Sequence, residues 1–155
     1  MAGTSPTLES LNLSDLKGKK VAIIAAQWHP EICNNLIHGA ELIFKSAGIE
    51  YEVTTVSGSF ELPLGAQIKL DQGFDGAVVL GLVMRGDTAH FDYICDGVTS
   101  GVMQVSLNRA KPIGFGVLMC DNLQQAIERS GEGLGIGNKG EEAALAVLAL
   151  WNLAK

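Results

Sequence analysis

Apolar and polar residues follow two different patterns along this chain. Four short runs rich in apolar or β-branched residues predict β-strands at residues 21–26, 51–56, 75–83 and 113–119. Apolar residues at helical spacing between and after these runs predict helices at residues 30–48, 60–71, 88–109, 123–130 and 139–153. Because strands and helices alternate and the strands are apolar, we expect a parallel sheet with helices on both faces.

The carboxyl ends of the predicted strands are where a sheet of this kind binds ligands. These ends are residues 27–29, 57–61, 83–90 and 119–122. At the third end, a turn of Gly86, Asp87 and Thr88 leads into a helix. The backbone N–H groups of this turn and the positive end of the helix dipole together predict an anion site. His90 lies in the first helical turn beside it, which makes its imidazole a candidate general acid or base.

Each of these candidates also has a purely structural interpretation. Asp87 and Thr88 suit the start of a helix as capping residues, and a His there can simply face solvent. Trp28 ends the first strand and either stacks on a planar ligand or packs in the core. Glu61 lies at a helix start, where a carboxylate is favoured whether or not it also accepts hydrogen bonds from a sugar or polyol. Position along the chain does not decide between these interpretations.

Composition and charge narrow the classes of function. The 155 residues suit one domain, and we expect residues 1–19 to form a flexible N-terminal arm and residues 20–155 a single folded domain. The net charge of −6 and the scattered Lys and Arg exclude nucleic acid as a partner. No apolar run is long enough to cross a bilayer and the first residues lack a signal-peptide pattern, so we expect a cytoplasmic protein.

Two kinds of cofactor site find no support in the motifs. The three cysteines lie in apolar periodic segments at spacings that do not suit zinc, which predicts buried free thiols at Cys33, Cys95 and Cys120. The glycine-rich residues 131–137 superficially resemble a dinucleotide-binding fingerprint, but they follow a helix and not a strand. We therefore predict neither a zinc site nor a dinucleotide site.

Five motifs in order resemble the lumazine synthase family. They are GSFELP at Gly58–Pro63, RGDTAHFDY at Arg85–Tyr93, FGVL at Phe115–Leu118, QAIERSG at Gln125–Gly131 and NKG at Asn138–Gly140. Any one alone is a weak signal, whereas all of them at fitting spacing, from about residue 20 to the C-terminus, are specific. The resemblance implies a flavodoxin-like three-layer α/β/α sandwich with a four-stranded parallel sheet, and a reaction that uses no metal or organic cofactor.

The resemblance also implies an enzyme, a transferase of riboflavin biosynthesis. In that family 5-amino-6-(D-ribitylamino)uracil condenses with 3,4-dihydroxy-2-butanone 4-phosphate to 6,7-dimethyl-8-ribityllumazine, and phosphate and water are released. Three alternatives are a non-catalytic flavin- or lumazine-binding protein of flavodoxin-like fold, an archaeal-type riboflavin synthase and a structural shell protein. The first does not explain a His and an Arg at one phosphate turn, and the full set of motifs argues against the second. A shell protein would not need Glu61 or His90.

By this resemblance, one group of residues contacts the two small-molecule substrates from within a single subunit. The group consists of Trp28, His29, Ser59, Phe60, Glu61, Val83, Met84, Gly86, Asp87, Thr88 and His90. Trp28 is implied to stack on the pyrimidine ring, and Ser59 and Glu61 to hold the ribityl chain. His90 is implied to transfer protons. Val83 and Met84 are implied to contact the ring through their backbone, and Gly86, Asp87 and Thr88 to form the phosphate turn. His29 stands where the family more often has Asn, and its side chain could still hydrogen-bond a ring carbonyl.

A second group is implied to reach the site from a neighbouring subunit: Phe115, Arg129 on the phosphate, and Lys139. Within one chain, Phe115 is by position a core residue of a strand, and Arg129 is a cation favoured at a helix end. The implied assembly is a homopentamer, and some family members form sixty-subunit cages. Residues 131–137 look longer than the tight turn of cage formers, so we expect a free pentamer.

Overall fold

Four parallel strands form the sheet at the centre of the fold. The structure is a computed structural model that describes residues 7–131 and 137–154. Within these residues the strands are Lys20–Ala26 (β1), Glu50–Val56 (β2), Gly76–Met84 (β3) and Ile113–Cys120 (β4). They pair in the order β2-β1-β3-β4, with every pairing parallel. The predicted four-stranded parallel sheet is confirmed.

Helices cover both faces of this sheet and complete three layers. They are Pro30–Ala47 (α1), Leu62–Asp71 (α2), His90–Arg109 (α3), Leu123–Arg129 (α4) and Lys139–Leu153 (α5). Alternate side chains of a strand point to opposite faces. Val21 and Ile23 therefore pack with α1 and α5 on one face, while Ala22 and Ile24 pack with α2 and α3 on the other. This arrangement is the predicted flavodoxin-like three-layer sandwich.

Local signals account for most of the helix ends. Gly48 ends α1 with φ 70°, a left-handed conformation that costs glycine little. Asn122 caps α4, since its side-chain oxygen accepts a hydrogen bond from the Gln125 N–H at 3.0 Å. The predicted start at Thr88 is two residues early, because residues 85–89 form an extended turn and α3 begins at His90.

The described part of the N-terminal segment lies on the folded domain. The sequence predicts a flexible arm up to residue 19, whereas residues 7–19 contain two short 3-10 turns and Leu16 is only 1% exposed. Asn12 and Asn152 of α5 exchange two hydrogen bonds of 3.1 Å. Burial of Leu16 removes apolar surface from water, which holds this stretch against the core.

The glycine-rich linker is only partly described, because residues 132–136 lie outside the described residues. Its two described ends are adjacent. The Gly131 N–H donates to the Gly137 carbonyl at 3.0 Å, and Ser130 and Asn138 form an antiparallel bridge. Within the described ranges, no helix combines the length and the apolar character needed to cross a membrane.

Candidate active site

A cleft of about 530 Å³ opens at the carboxyl edge of the sheet. It is lined by Trp28, His29, Gly58, Ser59, Phe60, Glu61, Leu82, Val83, Met84, His90 and Ile94. The structure thus brings together residues that follow β1, β2 and β3, and most of the residues predicted to contact substrate from one subunit are among them. The volume lies in the range of small-molecule sites, roughly 300–1,000 Å³.

The chain bends sharply where β1 meets α1, and this bend presents Trp28 to the cleft. His29 has φ 55° and ψ 64°, a left-handed conformation that Asn, Asp and His adopt more readily than other residues with a side chain. The Trp28 side chain is 69% exposed, so it is not a core residue. Behind it, the Cys33 thiol donates a hydrogen bond to the Trp28 carbonyl at 3.3 Å. Burial raises the pKa of Cys33 to about 11, which keeps this thiol protonated as a donor at neutral pH.

The Glu61 carboxylate and the Trp28 indole both lie close to Gly58 in the cleft. A Cβ at Gly58 would stand 3.2 Å from both Glu61 Oε2 and Trp28 Cδ1. The absence of a side chain at Gly58 therefore allows the carboxylate and the indole to approach the same backbone. Together they offer an acceptor for hydroxyl groups beside a flat apolar surface.

The Ser59 side chain points away from the cleft. Its hydroxyl oxygen is buried and has no hydrogen-bond partner among the described residues. It packs against Gly81, where an added Cβ would come within 2.6 Å of Ser59 Oγ. Ser59 therefore lines the cleft without offering its hydroxyl, so a ribityl contact through that hydroxyl is not available in this arrangement.

The predicted anion site is an exposed turn between β3 and the first residue of α3. Gly86, Asp87 and Thr88 are exposed, and the Thr88 hydroxyl accepts a hydrogen bond from the His90 N–H at 3.3 Å. The helix that follows is 20 residues long, so its dipole is well developed at this end. His90 is exposed at its start and lines the cleft. The capping and anion-binding interpretations of Thr88 are compatible in this geometry.

Arg85 opens the motif at Arg85–Tyr93, and the motif by itself predicts no role for its side chain. Its Nε lies 2.7 Å from Asp121 Oδ1, and its guanidinium carbon lies 4.3 Å from the centre of the Phe91 ring. Asp121 directly follows β4 and was not a candidate. Both residues lie just beyond the carboxyl ends of strands, which is the signal that could have indicated them.

The residues assigned to a neighbouring subunit lie outside the cleft of this chain. The Phe115 side chain is 40% exposed on β4, which does not agree with a core position. Arg129 donates from NH1 to the Gln125 carbonyl at 2.9 Å, and Lys139 Nζ lies 2.9 Å from Glu142 Oε2. Within residues 7–131 and 137–154 these three side chains are not brought to the cleft lining.

The cysteines and acidic residues do not form a metal centre in the described ranges. Across residues 7–131 and 137–154 there is no cluster of three or more His, Cys, Asp or Glu side chains placed to hold a metal ion. Cys33, Cys95 and Cys120 are free cysteines, and only Cys95 is not fully buried.

The fold and the cleft define an α/β sandwich with a cleft of small-molecule size at the carboxyl ends of its strands. The family model for 6,7-dimethyl-8-ribityllumazine synthase matches residues 18–155. A 6,7-dimethyl-8-ribityllumazine synthase of Streptomyces coelicolor is 44% identical over 146 residues, which cover 94% of this chain and 89% of that one. One from an Arthrobacter species is 46% identical over 143 residues, or 92% and 88% of the two chains. The chain belongs to the 6,7-dimethyl-8-ribityllumazine synthase family, which confirms the resemblance of the motifs.

A solved periplasmic ribose ABC transporter from Conexibacter woesei also aligns with the chain. The TM-score is 0.35 and the identity 13%, over 87% of this chain and 70% of the other. A likeness of this size carries no argument about function.

Proposed function

We propose that the cleft at the carboxyl edge of the sheet is where this protein carries out the reaction of its family. That reaction joins 5-amino-6-(D-ribitylamino)uracil to 3,4-dihydroxy-2-butanone 4-phosphate and yields 6,7-dimethyl-8-ribityllumazine, phosphate and water. The observation that carries the assignment is the meeting of an exposed indole, a carboxylate and an imidazole in one cleft, beside an exposed turn at a helix start. The protein acts as a transferase of riboflavin biosynthesis.

The pyrimidine substrate occupies the part of the cleft between β1 and β2. The exposed face of Trp28 stacks on the ring, and the Glu61 carboxylate accepts hydrogen bonds from the ribityl hydroxyls. Val83 and Met84, which are half-buried at the end of β3, contact the ring through their backbone. Ser59 takes part through its backbone, since its hydroxyl is turned inward.

The phosphate substrate occupies the turn formed by Gly86, Asp87 and Thr88. Backbone N–H groups at a helix start together with the helix dipole favour a dianion. In the assembled protein Arg129 of a neighbouring subunit completes this site, because a guanidinium fork matches phosphate geometry. Phe115 and Lys139 approach the cleft from the same neighbour.

The chemistry starts when the uracil amine attacks the ketone carbonyl, and loss of water gives an imine. Elimination of phosphate, tautomerisation of the enol and ring closure with loss of a second water then give the lumazine. Holding two substrates in reacting geometry supplies at most roughly 7–11 kcal/mol of the barrier. His90, which lines the cleft beside the phosphate turn, adds proton transfer that is typically worth about 10²–10⁴-fold.

The assembly we propose is a homo-oligomer, with a pentamer favoured over a sixty-subunit cage. Large apolar side chains are exposed in the cleft and on helices α2 and α3: Trp28, Phe60, Leu64, Ile68, Tyr93 and Met103. Exposed apolar surface of this kind marks protein contacts. A sedimentation-velocity run that shows a megadalton particle would contradict the pentamer.

The cytoplasm is the compartment we propose, because three free cysteines suit a reducing environment. Residues 20–155 act as one domain, and residues 1–19 act as its N-terminal arm.

The direct test is to mix the two substrates with the purified protein and follow the lumazine absorbance. Product that appears faster than in the protein-free mixture supports the proposal. Purified protein that carries bound flavin but forms no lumazine would instead favour a non-catalytic flavin- or lumazine-binding role.

A further inference from the structure

Arg85 connects both ends of the turn that separates β3 from α3. Its backbone N–H donates to the Cys120 carbonyl at 2.9 Å, which continues the β3–β4 pairing one residue past the strands. Its Nε lies 2.7 Å from Asp121 Oδ1. Its Nη1 lies 3.6 Å from Asp92 Oδ1, in the first turn of α3. One side chain thus links the end of the sheet to the start of the helix.

The guanidinium group also lies over an aromatic ring. It stacks 4.3 Å from the centre of the Phe91 ring, and that ring is only 8% exposed, so it offers a fixed surface. A planar guanidinium that stacks on an aromatic ring and hydrogen-bonds a carboxylate has few alternative positions. Residues 86–89 connect Arg85, which follows β3, to the start of α3. Their path therefore depends on where Arg85 is held.

We propose that Arg85 is a positioning residue that holds residues 86–89 in the shape that binds the phosphate group of the substrate. The proposal rests on the phosphate site proposed above. Arg85 acts through this turn, which leads into His90 at the start of α3. Its function is to set the affinity for the phosphorylated substrate, and it does not itself bind phosphate.

The contacts of Arg85 argue against a direct role as a phosphate ligand. Asp121 Oδ1 lies at hydrogen-bond distance from its Nε and Asp92 Oδ1 lies 3.6 Å from its Nη1, so two carboxylates already offset the positive charge that would attract an anion. If Arg85 were a phosphate ligand restrained by Asp121, removing the Asp121 charge would release it and strengthen phosphate binding. If Arg85 positions the turn, the same change weakens phosphate binding, even though it makes the site less negative.

The opposite end of α3 provides a matched control. Arg109, the last residue of that helix, donates from Nε and Nη2 to the two carboxylate oxygens of Asp71 at 3.0 and 3.1 Å. This is also an arginine that links α3 to another element, about 30 Å away along a 20-residue helix. R109Q therefore removes a comparable ion pair without touching the cleft.

The experiment measures the KM of each substrate and the inhibition constant of inorganic phosphate for R85Q, R85K, D121N, R109Q and R129Q. Positioning by Arg85 predicts that R85Q raises the KM of the phosphorylated substrate about tenfold, with a parallel rise in the phosphate inhibition constant. The KM of the pyrimidine substrate changes by less than about twofold, and R109Q leaves all three constants within about twofold. D121N changes these constants in the same direction as R85Q. The constants of R85K lie between those of R85Q and those of the parent protein.

Several results would overturn the inference, and they separate it from the proposed function. If the constants of R85Q match those of R109Q, Arg85 has no positioning role. If D121N binds phosphate more tightly than the parent protein, Arg85 is itself a phosphate ligand. If R129Q raises the KM of the phosphorylated substrate and R85Q does not, the phosphate site stands and the positioning role alone fails. If neither variant has an effect, the phosphate site itself fails. Circular dichroism and sedimentation, compared with R109Q, show whether a variant has lost its fold or assembly. If R85Q has lost either, the constants of D121N decide the test.

Discussion

Replacing Gly58 with alanine should disturb the pyrimidine half of the cleft while leaving the fold intact. Gly58 has φ −153° and ψ 179°, an extended conformation that alanine adopts freely, so the backbone has no reason to change. The new methyl group would stand 3.2 Å from Glu61 Oε2 and from Trp28 Cδ1. Ordinary contacts begin near 3.5 Å, so both side chains must move by about 0.3 Å.

The effect of this movement should appear in one kinetic constant. We expect G58A to raise the KM of the pyrimidine substrate about 3- to 10-fold, because the stacking surface and the ribityl acceptor are both displaced. The free energy of unfolding, measured with urea, should change by less than about 1 kcal/mol. The KM of the phosphorylated substrate serves as the internal control, since residues 86–89 are not part of the cleft lining that contains Gly58. An unchanged KM for the pyrimidine substrate would refute the assignment of Trp28 and Glu61.

Substitutions at three further positions test other parts of the site. H29G should keep or raise the urea unfolding free energy, whereas H29V should lower it by about 2 kcal/mol, because the left-handed φ of 55° strains a β-branched residue; equal stability of the two variants would contradict this backbone role. S59A should raise the unfolding free energy by about 1 kcal/mol, because a buried hydroxyl without a partner is removed. A large rise in the KM of the pyrimidine substrate for S59A would show instead that the hydroxyl contacts substrate. H90A should lower kcat about 10²-fold and leave measurable turnover, because His90 contributes proton transfer and the rest of the site still positions both substrates. Complete loss of lumazine formation in a folded, assembled H90A protein would count against a mechanism that depends mainly on positioning.

The elements of the fold were predictable because their signals are local. The apolar run of β1 marks a strand buried on both faces, and Pro30 and Gly48 mark the ends of α1. The turn before α3 was predictable for the same reason, since a strand, a glycine and a helix start follow one another directly. The family motifs, spread over nearly the whole chain, indicated which chemistry to expect.

Burial at the edge of the sheet was not predictable in this way. Sequence alone left Trp28 equally suited to the core and to a ligand, and the structure exposes it because His29 turns the chain outward. Ser59, in contrast, has a buried hydroxyl, because that hydroxyl packs against Gly81 of β3. Such orientations depend on the packing of neighbouring elements, which carries no signature in the local pattern.

By itself the sequence determined the order of strands and helices, the parallel sheet and the family. The tertiary structure decided which strand ends are neighbours and therefore which side chains meet. Arg85 and Asp121 are 36 positions apart, and they touch because β3 and β4 pair at the edge of the sheet. Phe115, Arg129 and Lys139 stay outside the cleft, because the path of a single chain does not carry them there. Local patterns follow from the preferences of short segments, whereas these long-range contacts exist only after the whole chain has packed.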